Sequence, residues 1–426
     1  MSLRKNEYID RLVDKKIEDY LSVFGAISIE GPKWCGKTWT SLNHANSIVS
    51  LDDDGIKEKA ELSLEYIFNN EKPELIDEWN LVPKIWDAVR RKCDDTQERG
   101  NYILTCSTKL SDKKQKENIY HSGAGRIGKI NMYPMSLYES KDSTGEASIM
   151  DMFNNVQENK KNSKSVGLGD LANFIIRGGW PSNLNVKEEK FGIIPKEYIK
   201  SILDKDINDE KTRDRNKMQM LLKSLARNES TIVGNQTLLK DIEIYEDTNT
   251  LLESRVTIDD YLDVLNRLHL LENQNAYSEN YRSPKRLGKS PKRHFTDPSL
   301  ACACLDLTKE KLLDDLKTFG FMFEALVERD LRIYMDYLDG NLYHFRDNVS
   351  GLEVDSILEF PGGEYAAVEI KLGFNQVKEA ENNLLNFYDN MNKKPKFMCV
   401  IVGYCDIIAK DPKTGIYIVP ITALKP

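Results

Sequence analysis

The chain has 426 residues, of which 60 are lysine or arginine and 68 are aspartate or glutamate, so its formal net charge is −8 at pH 7. A single hydrophobic core rarely supports such a length, and at roughly 150 residues per domain we expect three domains. Because the average charge is negative, general attraction to nucleic acid or to an anionic membrane is excluded, and any such contact needs a local basic patch.

The cysteines and the apolar runs indicate the cellular compartment of the protein. The seven cysteines are scattered, and several lie in apolar runs where small hydrophobic side chains are expected. Their spacing fits neither a disulfide framework nor a zinc site. Residues 1–20 lack the apolar core of a signal peptide, and no later apolar run approaches the ~20 residues that span a membrane. These features predict a cytoplasmic protein with no membrane partner.

A glycine-rich loop follows the first predicted strand, at residues 26–29. The sequence GPKWCGKT at positions 31–38 matches the phosphate-binding pattern G-x-x-x-x-G-K-[ST], and helical patterning follows it. In this pattern the loop N–H groups surround phosphates, the lysine neutralises them, and the hydroxyl binds Mg²⁺. The predicted ATP-binding residues are Gly31, Lys33, Trp34, Cys35, Gly36, Lys37, Thr38 and Trp39.

Two carboxylates, Asp77 and Glu78, end the next apolar run in the sequence PELIDEW. An isolated Asp-Glu pair is usually a solvated strand end. About forty residues after a phosphate loop, however, such a pair has the position of an acid that holds Mg²⁺ and a carboxylate that accepts a proton from water. We therefore predict Thr38 and Asp77 as metal ligands and Glu78 as the general base.

Further strands are predicted at residues 47–51, 101–107 and 125–130. Strands that alternate with helices predict an α/β P-loop NTPase with a parallel sheet. Ser107, or Thr105, ends one of these strands and is predicted to sense the γ-phosphate. Arg126 is predicted to reach the same phosphate, although a lone arginine at a strand start is usually solvated.

The segments GPKWCGKT, LIDEWN, ILTCS, HSGAGRI and GGWP together resemble bacterial and archaeal AAA-type ATPases fused to a C-terminal domain of unknown function. The resemblance extends from about Tyr8 to the C-terminus, and Cys106 departs from it where the family usually has glycine. In this family GG-x-P lies close to the nucleotide, which implies that Gly178 and Pro181 contact ATP. A tight turn that caps a helix is an equal alternative.

The middle of the chain predicts a helical lid and a winged helix. Residues 154–169 are polar and predict a boundary, and helical patterning follows GGWP as far as residue 207. Two helices, at residues 218–226 and 257–271, precede a hairpin candidate at residues 281–293, which has six basic residues and no acidic one. This segment is the predicted contact with DNA or RNA, through Lys285, Arg286, Lys289, Lys292 and Arg293. A solvated tip, or a contact with an acidic domain, is the alternative.

The last part of the chain predicts a second α/β unit, ordered as helix, three strands, helix and strand. Asp355 lies on the second strand, and Glu369 and Lys371 lie on one face of the third. Glu324 lies on the apolar face of the first helix. This arrangement resembles the PD-(D/E)-x-K nuclease fold, in which the acids hold Mg²⁺ and the lysine orients water. An ordinary cross-strand salt bridge is the alternative, and cleavage does not follow from the fold.

These patterns predict three domains: a P-loop ATPase of the AAA type at residues 1–165, a helical lid with a winged helix at 166–300, and a restriction-endonuclease-like domain at 301–426. One hypothesis is a Mg²⁺-dependent ATPase whose nucleotide state controls a nuclease-like module acting on DNA or RNA. Its alternative is a regulatory switch with a non-cleaving scaffold and a protein partner. A small-molecule kinase fits less well, because Glu78 suits the activation of water.

Overall fold

The computed structural model describes residues 3, 8–111, 117, 119–163, 166–207, 213–245, 254–280, 282, 290–347 and 349–426. Among them the chain divides into two compact units. The first consists of Met1–Pro134 with Leu265–Leu270, and the second of Met135–Val264 with Leu271–Pro426.

The first unit is built on a parallel sheet. Its strands are β1 (Ala26–Glu30), β2 (Ser47–Ser50), β3 (Glu74–Asp77), β4 (Tyr102–Cys106) and β5 (Ile127–Asn131). Its helices are α1 (Val13–Val23), α2 (Lys37–His44), α3 (Asp54–Leu62) and α4 (Ile85–Thr96). The strand order is β2-β3-β4-β1-β5 and every pairing is parallel. The predicted α/β fold with a parallel sheet is confirmed.

The parallel direction of these strands determines where the functional residues lie in the sheet. Strands β1 and β4 are buried along their whole length, as expected for a sheet covered on both faces. Because parallel strands point the same way, their carboxyl ends meet at one edge, where Glu30 pairs with Cys106 and Ser50 pairs with Asp77. The glycine loop and the acids at the end of β3 therefore lie at the same edge.

The second unit contains a ten-stranded mixed sheet, in the order β7-β15-β16-β14-β13-β12-β11-β9-β10-β8, and a separate pair, β6 with β17. Its strands are β6 (Ala147–Ser148), β7 (Lys160–Lys161), β8 (Thr231–Ile232), β9 (Leu271–Ala276), β10 (Lys292–Phe295), β11 (Asn341–Arg346), β12 (Glu353–Glu359), β13 (Tyr365–Gly373), β14 (Phe397–Tyr404), β15 (Ile407–Lys410), β16 (Tyr417–Pro420) and β17 (Leu424–Lys425).

The second unit also contains helices. They are α5 (Ile149–Phe153), α6 (Leu168–Arg177), α7 (Ile193–Ser201), α8 (Arg215–Arg227), α9 (Asn235–Tyr245), α10 (Ser254–Arg267, whose last residues belong to the first unit), α11 (Pro298–Cys304), α12 (Lys309–Asp314), α13 (Leu316–Tyr337) and α14 (Val377–Asn390). The predicted order of helix, three strands, helix and strand is confirmed as α13, β11, β12, β13, α14 and β14. Strands β11 to β13 are antiparallel, and α14 connects β13 to the parallel strand β14.

The segment after β5 belongs to this second unit. Strand β6 pairs with β17, and β7 pairs with β15. The residues between Met135 and Ser163 thus fold with the C-terminal strands, although the sequence groups them with the ATPase domain. The division into three domains stays a prediction.

The GGWP segment is a turn at the end of α6. Gly178 has a φ of 67°, in the left-handed region that favours glycine. A Cβ on Gly179 would lie 2.1 Å from the backbone oxygen of Met135, so glycine is needed for this close approach. The Gly179 N–H donates to Asp297 at 2.9 Å, and the Trp180 indole donates to Ser299 at 2.9 Å. These local contacts account for both glycines, and the contact of Gly178 and Pro181 with ATP stays a prediction.

Candidate nucleotide site and a second charged cluster

The glycine loop is closed around the lysine that ends it. Gly36 has a φ of 104° at the start of α2, and a Cβ on Gly31 would lie 2.2 Å from the backbone oxygen of Met132. The buried Lys37 ammonium donates to the carbonyls of Gly31 and Pro32, at 3.0 and 2.9 Å. The loop therefore holds a cation beside the first N–H groups of a helix, which is an arrangement suited to phosphate.

Asp77 is brought to the loop by hydroxyl groups. The Thr38 hydroxyl donates to both carboxylate oxygens of Asp77 at 3.1 Å, and the Thr105 hydroxyl donates to the first of them. Burial raises the pKa of Asp77, while these hydroxyls and Lys37 act in the opposite direction. Hydroxyl and carboxylate oxygens are the ligands that Mg²⁺ prefers, so Thr38 and Asp77 fit the ion that accompanies ATP.

Glu78 is oriented by the end of β4. Its backbone is left-handed, with a φ of 54°. The Ser107 hydroxyl donates to one carboxylate oxygen at 2.6 Å, and the Ser107 N–H donates to the other at 3.3 Å. The Glu78 N–H donates to the Thr105 hydroxyl at 3.3 Å. Hydrogen bonds thus join the predicted residues Thr38, Asp77, Thr105, Glu78 and Ser107 in one network.

The other predicted nucleotide contacts have different surroundings. The side chains of Trp34 and Trp39 are 48% and 42% exposed, whereas Cys35 is buried and Lys33 is half-buried. The Arg126 guanidinium donates to Asp94 of α4 at 2.7 Å. Its charge is thus engaged at a half-exposed ion pair, and its contact with the γ-phosphate stays a prediction.

Arg11 contacts the backbone of the phosphate loop. No sequence pattern singles this residue out. Its buried guanidinium donates to the carbonyl of Cys35 in the loop at 2.9 Å and to the carbonyl of Tyr133 at 2.9 Å. Arg11 lies outside every motif, in a charged N-terminal segment, so its sequence carries no signal of this role. The hydrogen bond to Cys35 makes Arg11 a positioning residue for the phosphate loop.

In the second unit, Asp355, Glu369 and Lys371 come together. The Lys371 ammonium lies 2.7 Å from Glu369 and 3.7 Å from Asp355. Asp355 also accepts a hydrogen bond from the Ile370 N–H at 2.8 Å, and the Asn383 amide donates to Glu369 at 2.8 Å. Burial and the nearby Asp355 raise the pKa of Glu369 to about 7, against the opposing charge of Lys371.

This cluster opens on a cleft of about 370 Å³ between β13 and α14. The cleft is lined by Glu369, Lys371, Glu379, Asn382, Asn383 and Asn386. Carboxylate, ammonium and amide groups therefore face one space, which is a polar site rather than an apolar pocket.

Glu324 forms an ion pair with a different cation from the one beside Asp355 and Glu369. It forms an ion pair with Lys292, whose ammonium also lies 3.2 Å from Glu328. Burial raises the pKa of Glu324 to about 8, with Lys292 lowering it and Asp355 raising it further. In the described part of the chain, no group of three or more His, Cys, Asp or Glu side chains is positioned to hold a metal ion. The predicted set of Glu324, Asp355 and Glu369 is thus not assembled as a metal site in this structure.

The prediction that Lys292 contacts DNA or RNA is wrong. Its side chain is 3% exposed and serves as a buried counterion, so it is not available to nucleic acid. The Arg293 guanidinium is half-buried and donates to the Val233 carbonyl at 2.7 Å and to Asn235 at 2.9 Å. The remaining predicted contacts, Lys285, Arg286 and Lys289, lie outside the described residues.

His294 lies next to this buried counterion. Its Nδ1 atom is 3.0 Å from Glu229, and its Nε2 atom contacts Glu328. Burial alone would lower the pKa of His294, but the carboxylates of Glu328 and Glu229 raise it to about 9. The imidazole is therefore protonated at neutral pH and shares with Lys292 the neutralisation of Glu328.

Comparison with known proteins supports the assignment of the first unit. Residues 24–141 match the family model described as an AAA domain. Residues 168–311 and 319–424 match two models described as domains of unknown function, DUF8612 and DUF4143. No curated protein matches the chain.

Similar solved structures include the Walker-type ATPase PABY2304 of Pyrococcus abyssi, with 13% identity and a TM-score of 0.44 over 71% of this chain and 98% of that chain. Another is the ORC2 protein of Aeropyrum pernix in its ADPNP–ADP complexes, with 12% identity and a TM-score of 0.34 over 73% and 97%. Such distant similarities carry no argument about function. No helix among the described residues is long and apolar enough to cross a membrane. The family match and the loop show that the chain has an N-terminal ATPase domain of the AAA type.

Replacing Arg11 tests its role behind the loop. We expect Arg11→Met to lower kcat/KM for ATP about tenfold, because the loss of a charged hydrogen bond to the loop costs roughly 1.4 kcal/mol. Arg11→Lys should recover part of this loss, since an ammonium reaches one of the two carbonyls. The control is Arg99→Met, which removes an exposed guanidinium bonded to the Ser22 carbonyl. Steady-state kinetics that are equal for Arg11→Met and Arg99→Met would contradict the role.

The raised pKa of His294 predicts a pH-dependent stability. Because the folded pKa of about 9 exceeds the ordinary value of roughly 6.5, the stabilisation is complete below pH 6.5 and is lost as the pH rises through 9. We therefore expect His294→Gln to lower the free energy of unfolding most at pH 6 and progressively less towards pH 9.5. Denaturant unfolding of both proteins across this range measures the difference, and a difference that does not change with pH would contradict the assignment.

Proposed function

We propose that the protein is a Mg²⁺-dependent ATPase whose nucleotide state controls a nuclease-like module that acts on DNA or RNA. ATP hydrolysis belongs to the AAA-type domain. The observation that carries the rest is the convergence of Asp355, Glu369 and Lys371 beside a polar cleft in the same chain.

At the ATP site, each proposed role follows from a contact. Thr38 and Asp77 would hold Mg²⁺, which neutralises charge on the β- and γ-phosphates, and Lys37 would share that task. Glu78 would accept the proton of the attacking water. Its hydrogen bonds to Ser107 fix the orientation of the carboxylate, and the same serine would report the presence of the γ-phosphate.

In the second unit, the order of α13, β11 to β13, α14 and β14 supports a nuclease-like fold. Asp355 and Glu369 would hold Mg²⁺, with Glu324 in support, and Lys371 would orient a water molecule for attack on a phosphodiester. For Glu324 to join, it must exchange its ion pair with Lys292. The order α8, β8, α9, α10, β9 and β10, with β10 antiparallel to both β8 and β9, supports a winged-helix module before it.

A second candidate is a regulatory switch with a non-cleaving scaffold that binds a protein partner. The observation that favours it is the position of Lys371, which forms ion pairs with both acids of the cluster. A lysine that already neutralises two carboxylates stabilises them without a metal ion. In this version ATP would change the shape of the second unit for a partner rather than activate a water molecule.

Two substitutions separate the proposed activities. We expect Lys37→Ala to abolish ATP hydrolysis, because the phosphates lose their buried cation, and to remove the effect of ATP on plasmid nicking. Lys371→Ala should keep ATP hydrolysis and lose nicking. The control, Lys396→Ala, removes an exposed ion pair with Glu364 in the same unit.

The measurements are ATP turnover, plasmid nicking and cleavage of an RNA oligonucleotide, each with Mg²⁺ and with a chelator. Unchanged ATP turnover in Lys37→Ala would contradict the nucleotide assignment. Wild-type protein that hydrolyses ATP but nicks neither DNA nor RNA under any of these conditions would favour the switch.

A further inference from the structure

A basic cleft lies in the second unit between α7 and α8, away from every motif in the sequence. Its volume is about 240 Å³. The basic side chains that line it are Lys196, Lys200, Arg215 and Lys223, and the acidic one is Asp306. Four cations and one carboxylate surround this small space, and this local excess of positive charge favours an anion in a chain whose net charge is negative.

The spacing of these residues places them in two rows. Lys196 and Lys200 are four residues apart on α7, so they lie on one face of the helix. Arg215, Gln219 and Lys223 are also four residues apart along α8. At 1.5 Å per residue, the second row extends over about 12 Å, which is longer than one phosphate group.

The positive charge of the cleft is only partly neutralised. Lys196 pairs with Asp306 at 3.0 Å, and Lys200 pairs with Glu197 at 3.7 Å. Arg215 pairs with Asp204 at 3.1 Å. Lys223 is half-buried and, among the described residues, forms no ion pair. Exposed ion pairs of this kind contribute little and exchange readily, so the cleft can accept further negative charge.

The floor of the cleft is apolar. It is formed by Ile199, Leu203, Leu222, Ala303 and Cys304. Burial raises the pKa of Cys304, so the thiol stays neutral and adds no charge to the floor. A free phosphate would neutralise the basic side chains at the rim of the cleft. It would leave the apolar floor in contact with water. A ligand that has both phosphates and a flat apolar group satisfies both parts.

We propose that this cleft binds a single-stranded segment of nucleic acid, with backbone phosphates on the lysines and arginine of the rim and one base over the apolar floor. The inference rests on the proposed action on nucleic acid and assigns the contact to α7 and α8 instead of residues 281–293. A single strand fits because its bases are free to leave the stack, whereas a duplex keeps them paired. Gln219, in the middle of the α8 row, can form a hydrogen bond with the edge of the base.

The test uses the full-length chain and fluorescence anisotropy with a labelled single-stranded oligonucleotide, over a range of salt concentrations. We expect Lys200→Glu and Lys223→Glu each to weaken binding about tenfold or more. Lys223→Gln should weaken it less and lower the slope of log K against log salt by about one. ATP turnover should be unchanged, which also verifies folding. The matched controls are Lys187→Glu and Lys190→Glu, which are exposed lysines of the same unit outside the cleft.

Loss of binding in the cleft variants, with wild-type binding in both controls, supports the site. Equal binding by cleft variants and wild type would contradict the assignment of the binding site to this cleft. The proposed function would then remain intact. Absence of binding to any nucleic acid at low salt overturns both. Binding of duplex alone, or displacement of the oligonucleotide by equimolar inorganic phosphate, overturns the assignment of a single strand.

Discussion

Neutralisation of buried carboxylates is the requirement on which both units depend. An ionised carboxylate away from water is stable only with a cation or several hydrogen bonds beside it. In the first unit Asp77 has two hydroxyls and Lys37 nearby. In the second unit the pairs are Lys371 with Glu369 and Asp355, Lys292 with Glu324 and Glu328, His294 with Glu328 and Glu229, and Arg329 with Asp297 and Asp330.

The carboxylates are neutralised in different ways at the ATP site and at the cluster of Asp355, Glu369 and Lys371. At the ATP site the partners of Asp77 are neutral hydroxyls, so the arrival of Mg²⁺ adds positive charge where it is needed. At the second cluster Lys371 already supplies that charge, so a metal ion has to compete with an ammonium group. Hydrolysis of ATP is accordingly the activity that the first unit supports, and the cleavage proposed for the second unit would require Lys371 to move away from the two carboxylates.

Local sequence patterns predicted much of the fold and part of the site. The glycine loop, the acids after β3 and the six C-terminal elements were all predictable, because loop chemistry and hydrophobic periodicity are encoded within short segments. Arg11 and His294 were not predictable. Their partners, the Cys35 carbonyl and Glu328, lie far from them in sequence or on another element, and a single arginine or histidine carries no periodic signal. For the same reason the sequence predicts a surface cation at Lys292, because its sequence neighbours are polar and its carboxylate partners lie on α13.

In the proposed function, the nucleotide bound by the first unit would change the structure of the second unit, and this claim can be tested. Hydrogen exchange of the amides in α13 and β13, with and without a non-hydrolysable ATP analogue and Mg²⁺, tests this claim directly. We expect the analogue to change protection in these two elements of the wild-type protein and to leave them unchanged in Lys37→Ala. Identical exchange in the wild-type protein with and without the analogue, under conditions in which the loop itself becomes protected, would contradict it.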